Sequence, residues 1–308
     1  MLLAPKGATD LRTTVVIGDV HGCFFTLKRL LKKIPQEAEI ILAGDLCDRG
    51  NYTKEVIEWV IQGEHTAILG NHESYMLEHI QAALKGKPNR WVDEECIGGR
   101  ETMSSYKGAW STLERHLRWM RENPLYLWRE PYFITHAFAL PYFKRRDIPE
   151  KRHAFLVNRV RDTKEWGHDF EEGYEAYELI NIFGHEVSKE VRVGKNFYGI
   201  DTGCVYGNKL SAIELGSMKL YEELTHPLDI SSTSAPLVAE HLTKISQTPV
   251  HWRLEEEALL FEIGLSPKRL EGILKRLKRK NPELLEGFEL QIQENPASPS
   301  LSRLLLTL

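Results

Sequence analysis

Residues 67–77 read AILGNHESYML. Ala67, Ile68 and Leu69 form a strand-like apolar run, while Met76, Leu77 and Ile80 recur at helical spacing. Between them, Gly70-Asn71-His72-Glu73 sets an amide, an imidazole and a carboxylate on the turn from strand to helix. The same arrangement occurs twice upstream. Val15-Val16-Ile17 runs into Gly18-Asp19-Val20-His21-Gly22, followed by a helix predicted over 24–34 from Phe24, Leu27, Leu30, Leu31 and Ile34, with Pro35 closing it. Ile40-Ile41-Leu42-Ala43 runs into Gly44-Asp45-Leu46-Cys47-Asp48-Arg49-Gly50, followed by a helix predicted over about 53–61. Strand, polar loop and helix repeated in this way predict an α/β fold with partly parallel central strands. Ligands in such sheets collect at the carboxyl ends of the strands, where all three polar loops fall.

Farther along, the rhythm loosens. The segment 85–99 reads as a loop and 112–121 as a helix. Tyr132-Phe133-Ile134-Thr135 reads as a strand ending in His136, and Leu179-Ile180-Asn181-Ile182-Phe183 as one ending in Gly184-His185. Phe197 to Ile200 leads to Asp201-Thr202-Gly203, and 210–215 with 219–221 reads as an antiparallel pair. Near Thr225 the composition shifts to HPLDISSTSAP, a linker by its Ser, Thr and Pro content. The expected organisation is a domain over 1–225 and a small helical appendage over 226–308, with helices at 254–263 and 267–278 split by Gly264-Leu265-Ser266.

Composition narrows the class. The 308 residues are 42% hydrophobic and 27% charged, with 40 Lys+Arg against 44 Asp+Glu. A net charge of −4 gives no general nucleic-acid or membrane signal. No apolar run approaches the roughly 18–20 residues of a membrane span, and no signal peptide is expected. The four cysteines, Cys23, Cys47, Cys96 and Cys204, form no CxxC pair, so a reduced, cytoplasmic protein is expected.

Five strand-ends carry metal-type ligands: Asp19 with His21, Asp45, Asn71, His136 and His185. Residues two apart on an extended segment point the same way, so Asp19 and His21 can grip one ion. Asp45 is placed in sequence to bridge two. Imidazole with carboxylate suits Mn, Fe or Zn better than Ca, and a pair of such ions about 3.5–4 Å apart suits displacement at phosphorus. Taken singly, each residue reads as a packing or surface group; their conjunction in one chain carries the weight.

Gly18-Asp19-Val20-His21-Gly22, Gly44-Asp45-Leu46-Cys47-Asp48-Arg49-Gly50 and Gly70-Asn71-His72-Glu73 resemble the three signature motifs of the phosphoprotein phosphatase superfamily of metallophosphoesterases. Ile97-Gly98-Gly99-Arg100-Glu101-Thr102-Met103, Ile134-Thr135-His136-Ala137, Phe183-Gly184-His185 and Asp201-Thr202-Gly203-Cys204 resemble later segments of its bacterial and phage-type branch. Together these cover roughly residues 12–221. The resemblance implies a calcineurin-like fold, a central β-sandwich of mixed sheets flanked by helices. It also implies two divalent ions, most naturally Mn: Asp19, His21 and Asp45 on the first, and Asp45, Asn71, His136 and His185 on the second. A hydroxide between the ions would attack phosphorus in line. His72 would protonate the leaving oxygen and Asp48 would orient His72. Asn71 would lie close to the bound phosphate, and Arg49 would clamp it through its planar fork. Leu156-Val157-Asn158-Arg159 resembles the family's L-W-x-R, so Arg159 is the expected second clamp, with Arg161 its rival. Phe138 and Glu186 depart from the pattern, standing where Gly and Thr are common.

The resemblance implies a phosphomonoesterase of protein-phosphatase type, acting on a phosphorylated protein or a small phosphoester. The alternative is a symmetrical dinucleoside tetraphosphatase, a branch that usually lacks the acid before the Arg of the second motif. A non-catalytic phosphate-binding scaffold is a third reading, opposed by the full ligand set. Segments 85–108 and 144–177 are expected to wall the cleft, offering Arg90, Trp91, Arg145, Arg146, Trp166 and Tyr174. Lys268, Arg269, Lys275, Arg276, Lys278, Arg279 and Lys280 could present a nucleic-acid surface, but a solvated basic face is the expectation.

Overall fold

The computed structural model describes residues 13–94, 96–161, 170–230, 235–254, 258–280, 285, 289–295 and 298–307. The chain divides into two compact units, Met1–His226 and Pro227–Leu308.

In the first unit, β1 (Thr14–Ile17), β2 (Glu39–Leu42) and β3 (Thr66–Ala67) pair in parallel. Helices α1 (Phe24–Leu31) and α2 (Thr53–Gln62) connect them, and α3 (Asn71–Leu84) follows β3. Segment 85–108, expected to wall the cleft and read as loop over 85–99, carries two short helices, α4 (Arg90–Asp93) and α5 (Gly99–Ser105); α6 (Trp110–Arg121) follows. The second sheet is built from β4 (Tyr126–Arg129), β5 (Tyr132–Thr135), β6 (Ile180–Phe183), β7 (Arg192–Val193) and β8 (Phe197–Gly199), in the order β4-β5-β6-β8-β7. The chain then returns through β9 (Lys209–Glu214) and β10 (Leu220–Leu224), completing the first sheet as β10-β9-β1-β2-β3.

Alternation along the strands makes two cores. Val16, Ile41, Ala43 and Ile68 of the first sheet pack with Tyr132, Ile134, Ile182 and Ile200 of the second. Val15, Ile17 and Leu42 point the other way, against Leu27 and Leu30 of α1, Val56 and Val60 of α2 and Met76 and Ile80 of α3. A sheet covered on both faces needs apolar residues at every position, which is why these strands read as continuous runs. The result is two mixed five-stranded sheets flanked by helices, the fold the motifs imply, with the carboxyl ends of β1, β2, β3, β5 and β6 delivering their loops to one site.

The second unit corrects the expected helical appendage. Of the helix expected at 254–263, the described residues are strand instead: β11 (Val250–Leu254) and β12 (Ala258–Ile263) form an antiparallel pair. With β13 (Glu289–Asn295) and β14 (Ser298–Thr307) they build a four-stranded sheet, ordered β11-β12-β14-β13. β12 is an inner strand, and Ala258, Leu259, Leu260, Phe261 and Ile263 are all buried. A short apolar run of this kind has no period to separate a central strand from a buried helix. The helix at Pro267–Lys280 forms as expected, burying Leu270, Leu274 and Leu277 and exposing its seven cations.

Candidate metal and phosphate site

The polar loops turn through left-handed backbone. Among the described non-glycine residues with positive φ are His21 (45°), Asp45 (50°), Asp48 (72°), Arg49 (68°) and His185 (61°). Such conformations are costly for residues with a Cβ and persist only where neighbours enforce them. Glu73 supplies much of that enforcement. Fully buried in the first turn of α3, it accepts the N–H groups of Gly70 (2.9 Å), Asp45 (2.9 Å), Leu46 (2.7 Å) and Cys47 (3.2 Å). Its role is to tie the second loop to the third. Close approach also demands glycine: a Cβ on Gly184 would strike Asp19 Oδ1, and one on Gly70 would strike Asp45 Oδ1.

The imidazoles are aimed by backbone carbonyls. His136 Nδ1 lies 2.9 Å from the Ala43 carbonyl, His21 Nδ1 2.7 Å from that of Cys47 and His185 Nε2 3.2 Å from that of Val157. A carbonyl only accepts, so each of these nitrogens carries the proton, and the other nitrogen turns a lone pair into the site. His136 Nε2 then faces Asn71 Oδ1 at 2.9 Å and Asp45 Oδ1 at 3.4 Å, and His185 Nδ1 faces the same amide oxygen at 2.9 Å. Burial lowers the pKa of all three rings, to about 4 for His136, keeping them neutral. Burial, then the charges of Asp201 and Asp45, pushes the Asp19 carboxyl well up, and burial also raises Asp45. Lone pairs and crowded carboxylates converging without enough protons are what a divalent cation fits. Among the described residues two donor clusters form, His21–Asp45–His72 and Asp45–His136–His185, each with its ligand atoms within 4.8 Å of one another. Asp45 belongs to both. Asp19 is in neither; it lines the same cavity and accepts the His185 N–H at 3.0 Å.

His72, a member of the first cluster, also donates from Nδ1 to Asp48 Oδ2 at 2.8 Å. Burial pushes Asp48 up to about 7, against hydrogen bonds from Thr102 and Trp91 that pull it down. Arg49 reaches His21 Nε2 at 2.7 Å and lies 5.4 Å from the Tyr206 ring. The cavity they share holds about 600 Å³ and is lined by Asp19, Asp45, Arg49, Asn71, His72, Tyr75, Arg90, Arg159, His185, Asp201 and Tyr206, among others.

The sequence profile of calcineurin-like phosphoesterases matches residues 12–189, more than half of the 308. The chain belongs to that family. It is a phosphoester hydrolase. It is similar to the symmetrical bis(5'-nucleosyl)-tetraphosphatase of Actinobacillus pleuropneumoniae serotype 5b, 25% identical over 277 residues that cover 68% of this chain and 98% of the relative. It is also similar to the asymmetrical bis(5'-nucleosyl)-tetraphosphatase PrpE of Bacillus cereus, 26% identical over 258 residues covering 75% and 98%. A solved structure described as a candidate diadenosine tetraphosphatase matches with a TM-score of 0.50 and 17% identity, covering 70% of this chain and 94% of that one, a likeness of fold alone.

Within this phosphoesterase the cavity wall sorts the expected residues. Arg159 lines it, and its charge helps depress His185; Arg161 is exposed and is not part of the wall. Of the six residues expected to wall the cleft, Arg90 does so. Trp91 is fully buried beneath it and donates to Asp48. Arg145 and Arg146 stack elsewhere, on Tyr142 and on Trp128 and Phe143, and Tyr174 is buried beside Phe138. Trp166 lies outside the described residues. Phe138 joins an aromatic cluster with Phe183 and Phe197, and Glu186 accepts the Val160 N–H at 3.0 Å and pairs with Arg192, so both departures from the pattern have packing or bonding roles. Asp201, Tyr75 and Tyr206 line the site without having been singled out for it. For Asp201 the signal was present: it follows an apolar run, as the ligands do.

Proposed function

We propose that this phosphoesterase hydrolyses dinucleoside tetraphosphates of the diadenosine type, the alternative to the protein-phosphatase reading. One observation carries the proposal: three arginines, Arg49, Arg90 and Arg159, line a single cavity of about 600 Å³ together with Tyr75 and Tyr206. Several guanidinium groups suit a chain of phosphates rather than one, and aromatic rings suit nucleobases. The tetraphosphatase names of the relatives support the same substrate class.

Asp19, His21 and Asp45 would hold one divalent ion, and Asp45, Asn71, His136 and His185 the other. Such ions, when bound, polarise the phosphoryl group and provide a nucleophile ionised near neutral pH. Mn fits the mixed nitrogen and oxygen donors, as do Fe and Zn. Arg49 and Arg159 grip phosphoryl oxygens, and Asn71 adds an amide beside them. His72, held by Asp48, would give a proton to the departing oxygen from Nε2 when the ring carries a proton on both nitrogens, because Nδ1 keeps its own on Asp48. Stripped protein reloaded with Mn and given diadenosine tetraphosphate should release ADP alone if the chain is cut symmetrically, or AMP and ATP if asymmetrically. Turnover of phosphoserine or phosphothreonine peptides with none of the dinucleotide would overturn the proposal. A second reading, phosphomonoester hydrolysis, is favoured by the complete Asp48–His72 pair, because poor leaving groups need an acid.

A further inference from the structure

We infer that Trp91 and Thr102 are positioning residues that fix the Asp48 carboxylate against His72. The inference rests on the reading of His72 as the proton donor. The Trp91 indole N–H lies 2.9 Å from both Asp48 oxygens, and the Thr102 hydroxyl donates to Oδ1 at 2.8 Å. That same hydroxyl accepts the Asp48 backbone N–H at 2.9 Å and lies 3.1 Å from Thr53 Oγ1. Oδ2 receives His72. Each carboxylate oxygen is therefore held by a side-chain donor other than His72, and all of these side chains are buried. An Asp without such donors could turn and release the ring.

The backbone of the same segment completes the hold. Arg49 N donates to the Gly98 carbonyl at 3.1 Å, and Gly98, at φ 88°, has no room for a Cβ because the Arg49 backbone lies against it. Asp48 and Arg49 are consecutive left-handed residues. Trp91, Gly98 and Thr102 thus clamp a strained turn and set the orientation of its acid partner, while Trp91 and Thr102 contribute no atom to the cavity wall.

The test uses the Mn-loaded full chain with two substrates that differ in leaving group, 4-nitrophenyl phosphate and phenyl phosphate. A proton donor matters more for the poorer leaving group. Trp91→Phe and Thr102→Val should lower kcat on phenyl phosphate about tenfold or more, on the scale of a lost hydrogen bond to a charged group. On 4-nitrophenyl phosphate they should lose about threefold or less, with KM unchanged on both. Thr102→Ser should restore the parent values. Equal losses on both substrates, or no loss, would overturn the inference. If Thr102→Val does not fold, Trp91→Phe decides the matter, its folding followed by thermal melting. His72→Asn separates the two possible failures. If it too loses equally on both substrates, the reading of His72 falls and the inference with it. If it discriminates while Trp91→Phe does not, the inference alone falls.

Discussion

The loops after β1, β2 and β3 carry Asp19, His21, Asp45, Asp48, Asn71 and His72, while the loops after β5 and β6 carry His136 and His185. The first set is wired to itself. Glu73 gathers four backbone amides across two loops, and His72 N–H donates to Asp45 Oδ1 at 3.0 Å. The second set is aimed from outside: Ala43, which follows β2, orients His136, and Val157, at the end of helix α7 (Arg152–Val157), orients His185. One half is thus a rigid cassette and the other a pair of single ligands brought in by the second sheet. Asp45 stands at the seam, within reach of both.

If that seam is real, Asp45→Ala should do the most damage. We expect activity to fall about 10³-fold or more and bound metal to drop at both positions, read by elemental analysis. A variant that keeps one tightly bound ion and activity within about tenfold of the parent would break the idea of a shared donor. His72→Asn comes next, with turnover lowered by about 10²–10⁴ and metal content near two per chain. Loss of metal instead would make His72 a ligand of the first cluster, a role its nearness to His21 and Asp45 also permits.

Glu73→Gln probes the cassette itself. Half of its acceptors become donors facing N–H groups, so we expect about 2–3 kcal/mol less stability in thermal melts and about 10- to 100-fold weaker metal binding. Unchanged melting would mean that the loops hold their shape without it. Arg90→Ala should show the smallest effect. Its side chain is 70% exposed and already paired with Glu94 at 2.8 Å. An increase of about threefold in KM for diadenosine tetraphosphate, with none for 4-nitrophenyl phosphate, would sharpen the distinction between a phosphate-chain contact and the half-buried clamps Arg49 and Arg159. Equal effects on both would remove Arg90 from the substrate path.

The cassette was legible because its parts are local. Each motif is a strand-end, a turn and a helix start within a few residues, and both the turn chemistry and the ligands show in the same short stretch. Glu73 was legible only as a helix-start acid serving nearby amides; that three of those amides belong to a loop 26–28 residues away is a tertiary fact. Trp91 read as a residue of the cleft wall, yet burial turned it into a support for Asp48. β13 and β14 went unread although Leu290 and Ile292 alternate with Glu289, Gln291 and Gln293, because the basic helix before them dominated the segment.

The sequence alone determined the α/β order, the strand-end loops and the kinds of ligand they carry, since period, turn residues and donor chemistry are properties of short stretches. The folded chain decided the rest: which loops meet, which carbonyl fixes each imidazole, that Asp201 and Tyr206 face the cavity and that Trp91 does not. It also decided that 258–263 is a strand, because an apolar run takes its form from what covers it on each side.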